Sequence, residues 1–115
     1  MHLNAFGVES DDFPTIDAHI DFRKDSSNCT KSYYNPALKA VNYKLTNDEI
    51  KKILRLLQGS DLYKLKHEYR VNKTDQPAST IIIYTSQKNF AIKDYGLEGD
   101  YLLQDLYEAV YKLKQ

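Results

Sequence analysis

Tryptophan is absent from this sequence of 115 residues, and cysteine occurs once, as Cys29. A single thiol cannot form a disulfide within the chain, and it cannot supply a four-cysteine zinc site. No histidine lies near Cys29 in the sequence, so we interpret it as a bystander thiol rather than a nucleophile. The composition therefore excludes a disulfide-stapled domain and a cysteine-only metal site.

An excess of one charge is also missing. Lysine and arginine total 16, aspartate and glutamate total 16, and the formal net charge is zero. The basic residues are scattered, whereas nucleic-acid-binding domains usually concentrate them in a patch or stripe. We therefore predict no nucleic-acid partner.

Long apolar runs are absent too, and none approaches the roughly 20 residues that cross a bilayer. The first ten residues, MHLNAFGVES, lack the basic start and the apolar stretch of a signal peptide. The chain shows no phosphate-binding Gly-Lys-Ser/Thr motif, no G-x-S-x-G and no H-E-x-x-H. We accordingly predict no transmembrane segment and no cofactor.

Tyrosine, in contrast, occurs ten times. Its apolar ring and polar tip suit half-buried strands and wet surfaces alike. Two interpretations stay open: a tyrosine-rich packing layer, or an aromatic binding face. Such a binding face would be a flat sheet face lined with Tyr33, Tyr34, Tyr43 or Tyr84.

The hydrophobic periodicity predicts strands first, then a helix, a hairpin and a last helix. PTIDAHIDF alternates between apolar and polar residues, as does VNYKL, and CTKSYYN is a plausible partner strand. STIIIYT and FAIKDY, separated by SQKN, are typical of a β-hairpin. SDLYKLKHEY is predicted to form a short helix or a helical turn. The predicted fold is one α+β domain over residues 1–115, with an antiparallel sheet of about four to five strands and two main helices on one face.

Local signals locate both helices and the register of the hairpin. Thr46 and Glu49 have the spacing of a capping box, which predicts a helix that starts at Thr46. Asp100 is predicted to cap the last helix. In the hairpin, Ile81 and Ile83 are expected to face the helices.

Short motifs resemble a family of small bacterial domains of unknown function, found mostly in exported proteins of the cell envelope. They are Gly7 and Pro14, the T-D-x-P segment 74–77, and the D-Y-G segment 94–96. Many relatives carry a cysteine just before the first-strand proline, where this chain has Phe13. The resemblance implies the fold and an extracytoplasmic location, and it implies no activity.

Two acids in these motifs are candidates for a site. Asp75 is predicted to form an Asx-turn, in which its carboxylate accepts hydrogen bonds from backbone amides ahead of the hairpin. A catalytic role would need a second titratable group within reach, and Asp94 is the candidate partner. Tyr95, beside Asp94, is a further candidate for a binding site.

Asp17, His19 and Asp21 alternate along one predicted strand and are the candidate metal ligands. Alternate residues of a strand are roughly 6.6–6.8 Å apart, which is wide for ligands that must each lie about 2.0–2.2 Å from a zinc ion. A second strand would have to supply further ligands. We therefore expect a solvated strand face and no tight zinc or manganese site.

These observations favour a non-catalytic binding or protein-interaction module of an exported bacterial protein, with a protein or a glycan as its partner. The binding residues would be drawn from Asp75, Asp94, Tyr95, Tyr33 and Tyr34. The alternative is a small hydrolase or metal-dependent enzyme that uses Asp75 with Asp94, or His19 with Asp17.

Overall fold

Seven strands form one sheet, and two helices cover one of its faces. The structure is a computed structural model that describes residues 1–7, 13–35 and 37–112. Along the chain the elements are β1 (His2–Phe6), β2 (Thr15–Asp21), β3 (Ser26–Ser32), β4 (Val41–Tyr43), α1 (Asn47–Gln58), β5 (Glu68–Arg70), β6 (Ala78–Tyr84), β7 (Asn89–Tyr95) and α2 (Tyr101–Val110).

The strand order across the sheet is β4-β3-β2-β1-β6-β7-β5. All pairs are antiparallel except β5 with β7, which is parallel. The α+β class, the helices and the β6–β7 hairpin agree with the sequence-based prediction. The prediction of four to five antiparallel strands is wrong in two respects, because the sheet has seven strands and is mixed.

The two strands that the prediction lacked are β1 and β5. Residues 2–5 alternate between polar and apolar side chains, but the sequence-based prediction used this segment only to exclude a signal peptide. Residues 60–69 were predicted to form a short helix or turn, but the structure has one 3₁₀ turn at Leu62–Lys64 and the strand β5 at Glu68–Arg70. Three residues are too few to show a strand period, so β5 exists only through its pairing with β7.

Alternation along the strands gives the sheet two different faces. Apolar residues of β1, β2, β6 and β7 point at the helices and are buried with the inner stripes of α1 and α2. Ile81 and Ile83 are both buried on this face, which confirms the predicted register. No helix or strand within the described residues covers the other face, which we call the open face.

Both predicted helix starts are confirmed. The Glu49 amide donates to Thr46 Oγ1 at 3.1 Å, and the Thr46 amide donates to Glu49 Oε1 at 2.8 Å, so the capping box is complete. Asp100 accepts from the Leu102 amide at 3.0 Å and caps α2. Neither helix, nor any other in the described part of the chain, has the length and apolar character needed to span a bilayer.

Candidate functional site

The open face brings together polar side chains from strands that are distant in sequence. On β1 and β2 the outward residues include His2, Asn4, Asp17 and His19, and His2 lies directly opposite His19 in the register. Opposed residues of neighbouring strands have Cβ atoms about 4.5–5.5 Å apart. This spacing is shorter than the roughly 6.6–6.8 Å between alternate residues of one strand, so the cross-strand pair can share a ligand.

His2, Asp17 and His19 form a compact cluster. His2 Nε2 lies 2.5 Å from Asp17 Oδ1, and His19 Nε2 lies 3.1 Å from Asp17 Oδ2. The two imidazole rings are stacked, with centroids 4.1 Å apart and planes 9° apart. Each ring therefore directs one nitrogen at the same carboxylate, and one potential ligand atom of each residue lies within 4.8 Å of the others.

The electrostatics of the cluster favour an ionised Asp17. Partial burial alone would raise the pKa of its carboxyl, but the hydrogen bond from His2 and the nearby imidazoles lower that pKa overall. The carboxylate is thus held ionised between two imidazoles.

Asp21, the third ligand expected from the sequence, does not join the cluster. Its Oδ1 accepts hydrogen bonds from the Arg23 and Lys24 amides at 3.0 and 3.3 Å, and so it holds the turn between β2 and β3. His2 takes the place that the sequence analysis gave to Asp21. The signal that could have found His2 was the alternation of residues 2–5, in which Leu3 and Ala5 are buried.

Asp94 lies on the helix-covered face and is 1% exposed. Its Oδ2 accepts from the Tyr107 hydroxyl at 2.6 Å and from the Gly99 amide at 3.2 Å. Burial and the adjoining Asp94 carboxylate raise the pKa of Tyr107. Asp94 therefore fastens α2 and the loop before it to the end of β7.

Tyr95 and Gly96, the other two residues of the D-Y-G segment, also have structural roles. The Tyr95 hydroxyl accepts from the Gln76 amide at 3.1 Å, which ties the T-D-x-P loop to the hairpin. Gly96 has φ 103°, and its amide donates to the Pro77 carbonyl at 2.7 Å. A Cβ atom at Gly96 would lie 2.4 Å from Val71 Cγ2, so only glycine fits.

Asp75 is exposed in the loop before β6 and has φ 56°. No amide of the described residues donates to its carboxylate, so the predicted Asx-turn is not formed. Aspartate tolerates the left-handed conformation better than most residues, which gives Asp75 a backbone role instead. Asp75 and Tyr95 line a cleft of about 380 Å³ in which Asp94 takes no part.

The tyrosines proposed as a binding face are dispersed. Tyr33 and Tyr34 follow β3, and three strands separate β3 from the β7 residue Tyr95. Tyr43 faces the helices and donates to the Val110 carbonyl at 2.8 Å. Of the candidate aromatic face, only Tyr84 lies on the open face of the sheet.

Comparison with known proteins gives one match. The family model described as a domain of unknown function (DUF6438) matches residues 10–114. β1 precedes the matched residues. No curated protein and no solved structure matches the chain.

Proposed function

The chain belongs to the DUF6438 family of domains of unknown function, and we propose that it is a non-catalytic protein-interaction module that binds through the open face of its sheet. The candidate acids support this proposal over catalysis. Asp94 serves the packing of α2, and Asp75 lines a different cleft from Asp94. The second candidate function, metal-dependent chemistry, is favoured only by the cluster around Asp17.

The observation that carries the proposal is an apolar stripe along the centre of the open face, on β1, β6 and β7. Phe6 is 55% exposed and Tyr84 is 59% exposed. The stripe has two parts, Phe6 with Ala78 and Ile82 with Tyr84 and Ala91, and the polar row Asn4, Thr80 and Lys93 lies between them in the register. Protein interfaces commonly combine an apolar centre with a polar rim, and an apolar patch that stays uncovered marks an interaction site.

The rim of this stripe differs in charge between its two sides. Asp17 and Asp21 extend from β2 on one side, while Lys93 and Arg70 outnumber Glu68 on β7 and β5 on the other. A two-fold axis parallel to the strands would place the acidic side of one copy opposite the basic side of its partner. This complementarity favours a second copy of the domain as the occupant, in an isologous pair of stacked sheets.

Analytical ultracentrifugation of the chain across the micromolar to millimolar range tests the proposal. We expect a concentration-dependent dimer that Ile82→Lys and Tyr84→Asp abolish. Tyr101→Asp is the matched control, because Tyr101 is an 84% exposed tyrosine on α2, away from the stripe. A monomer at all concentrations, or equal effects of all three variants, would contradict the proposal. A monomer would make a glycan the next ligand to test.

The family resemblance also supports a bacterial, extracytoplasmic location. Fractionation of cells that express the native gene, followed by immunodetection of the domain, tests this part separately. Recovery from the cytoplasmic fraction alone would contradict it.

A further inference from the structure

The positions of His2, Asp17 and His19 suit a metal ion better than the sequence indicated. Zinc ligands at 2.0–2.2 Å in tetrahedral geometry have donor atoms about 3.3–3.6 Å apart. His2 Nε2 lies 2.5 Å from Asp17 Oδ1 and His19 Nε2 lies 3.1 Å from Asp17 Oδ2, and both distances are shorter than this spacing. One ligand atom of each residue lies within 4.8 Å of the others. Rotation of these side chains would bring one donor atom of each residue around one ion.

We propose that His2, Asp17 and His19 form a binding site for a divalent first-row transition metal ion, with zinc as the ion to test first. In the metal-free state each imidazole nitrogen faces one oxygen of the shared carboxylate, and protons occupy the space between them. The ion would take the place of those protons, bound by His2 Nε2, His19 Nε2 and an oxygen of the Asp17 carboxylate. Stacking of the two rings keeps both nitrogens on one side of the strand pair.

The donor set selects the class of ion. Two imidazole nitrogens and one carboxylate oxygen suit zinc and its first-row neighbours, whereas calcium and magnesium prefer oxygen ligands alone. A site with three protein ligands keeps further positions for water. The zinc site therefore resembles an open site rather than a closed structural one.

The surroundings leave room for water and for exchange of the ion. The side chains of His2, Asp17 and His19 are 29%, 45% and 59% exposed. A cleft of about 650 Å³ adjoins the two histidines and is also lined by Asp21 and Asn28. Because the ligands are reachable from solvent, the site should load and unload without unfolding of the domain.

The site can be tested separately from the proposed dimer, although Asp17 also belongs to the acidic side of the rim and His2 lies opposite Ile82 of the stripe in the register. It uses no residue of the apolar stripe, and its formation is measured by metal binding rather than by mass. The ultracentrifugation experiment can therefore fail while the metal site is confirmed, and the reverse also holds.

Isothermal titration calorimetry of zinc into the chelator-treated full chain tests the inference. We expect saturable binding of one ion per chain with micromolar or tighter affinity. His2→Ala, Asp17→Asn and His19→Ala should each weaken binding by more than the roughly 10–100-fold lost when a hydrogen-bond partner of a metal ligand is removed. His67→Ala is the matched control, since His67 is an exposed histidine outside the cluster, and it should bind like the wild type.

Cobalt(II) titration followed by visible absorption gives a second readout, and circular dichroism verifies that each variant is folded. If a variant fails to fold, the NMR amide spectrum of the wild type with and without zinc tests the site. Zinc should shift the resonances of the cluster residues and of their strand neighbours. The absence of saturable binding would overturn the inference. Binding that depends on His2 but persists in both Asp17→Asn and His19→Ala would also overturn it, because the ion would then belong to the start of the chain alone.

Discussion

At the scale of single residues, the buried carboxylate of Asp94 shows how an acid can serve packing. Both groups that donate to its Oδ2 come from the segment that begins and forms α2, namely the Gly99 amide and the Tyr107 hydroxyl. Its Oδ1 has no partner among the described residues. Removal of either donor would leave a buried charged acceptor short of a hydrogen bond, which lowers stability. Substitutions in this network should therefore destabilise the fold.

Tyr107→Phe is predicted to lower the free energy of unfolding by roughly 1–3 kcal/mol, because it removes a charge-assisted hydrogen bond from a buried acceptor. Urea denaturation at neutral pH measures this change. Tyr101→Phe on the same helix is the control, and its exposed hydroxyl should leave stability within about 0.5 kcal/mol. Equal effects of the two substitutions would show that the Asp94–Tyr107 bond contributes nothing.

Asp75 has a backbone role that its substitutions can reveal. Asp75→Ala should lower stability by roughly 1 kcal/mol, because alanine adopts the left-handed conformation less readily than aspartate does. Asp75→Gly should lose less, since glycine adopts positive φ without strain. Thermal denaturation of both variants gives the ranking. Loss of the same stability in both would instead point to the carboxylate.

Some residue-level features were predictable from the sequence because their partners are close along the chain. Thr46 and Glu49 are three residues apart, and Asp100 and Leu102 are two apart. The prediction that the Asp75 carboxylate holds the turn was wrong. The Gln76 amide, next to Asp75, instead donates to the hydroxyl of Tyr95, which is nineteen residues further along the chain. No local pattern contains that partner.

At the scale of elements, the start of α1 is coupled to the end of the described chain. Lys112 Nζ lies 2.6 Å from Glu49 Oε2, while Glu49 Oε1 closes the capping box. The Lys112 ammonium and the Thr46 amide lower the pKa of Glu49 below its ordinary value of 4.5. One carboxylate therefore stabilises both the cap and the contact between the two helical segments.

The pH dependence of stability should reveal this coupling. Because the folded state holds the pKa of Glu49 below its unfolded value, its contribution is fully present above about pH 4.5 and is lost as the pH falls through the folded pKa. The stability difference between wild type and Glu49→Gln should therefore shrink on acidification from neutral pH. Urea denaturation across that range measures it, and a difference that stays constant would contradict the coupling.

At the scale of the whole molecule, β1 joins the two halves of the sheet. It pairs with β2 on one side and with β6 on the other, and it buries Leu3 and Ala5. The two edge strands β4 and β5 have three residues each. The sheet thus depends on its central strand far more than on its edges.

Deletion of residues 1–7 is predicted to abolish cooperative folding, because it leaves β2 and β6 without their shared partner and opens the core. Circular dichroism and thermal denaturation of the shortened chain test this. A synthetic peptide of residues 1–7 added in trans should restore the native spectrum at sufficient concentration, which is the control. A shortened chain that melts like the full chain would show that the family-matched residues fold alone.

The sequence by itself determined the features whose causes lie within a few residues: the capping box at Thr46, the cap at Asp100, the alternation of β2, the β6–β7 hairpin and the α+β class. Tertiary structure alone decided which distant residues meet. It placed β1 between β2 and β6, paired β5 in parallel with β7, turned Asp94 toward Tyr107, and brought His2 to Asp17 and His19. The physical reason is that hydrogen bonds within helices and turns link residues that are close along the chain, whereas strand pairing joins residues at any separation. A single sequence therefore shows the period of a strand but does not identify the strand that pairs with it.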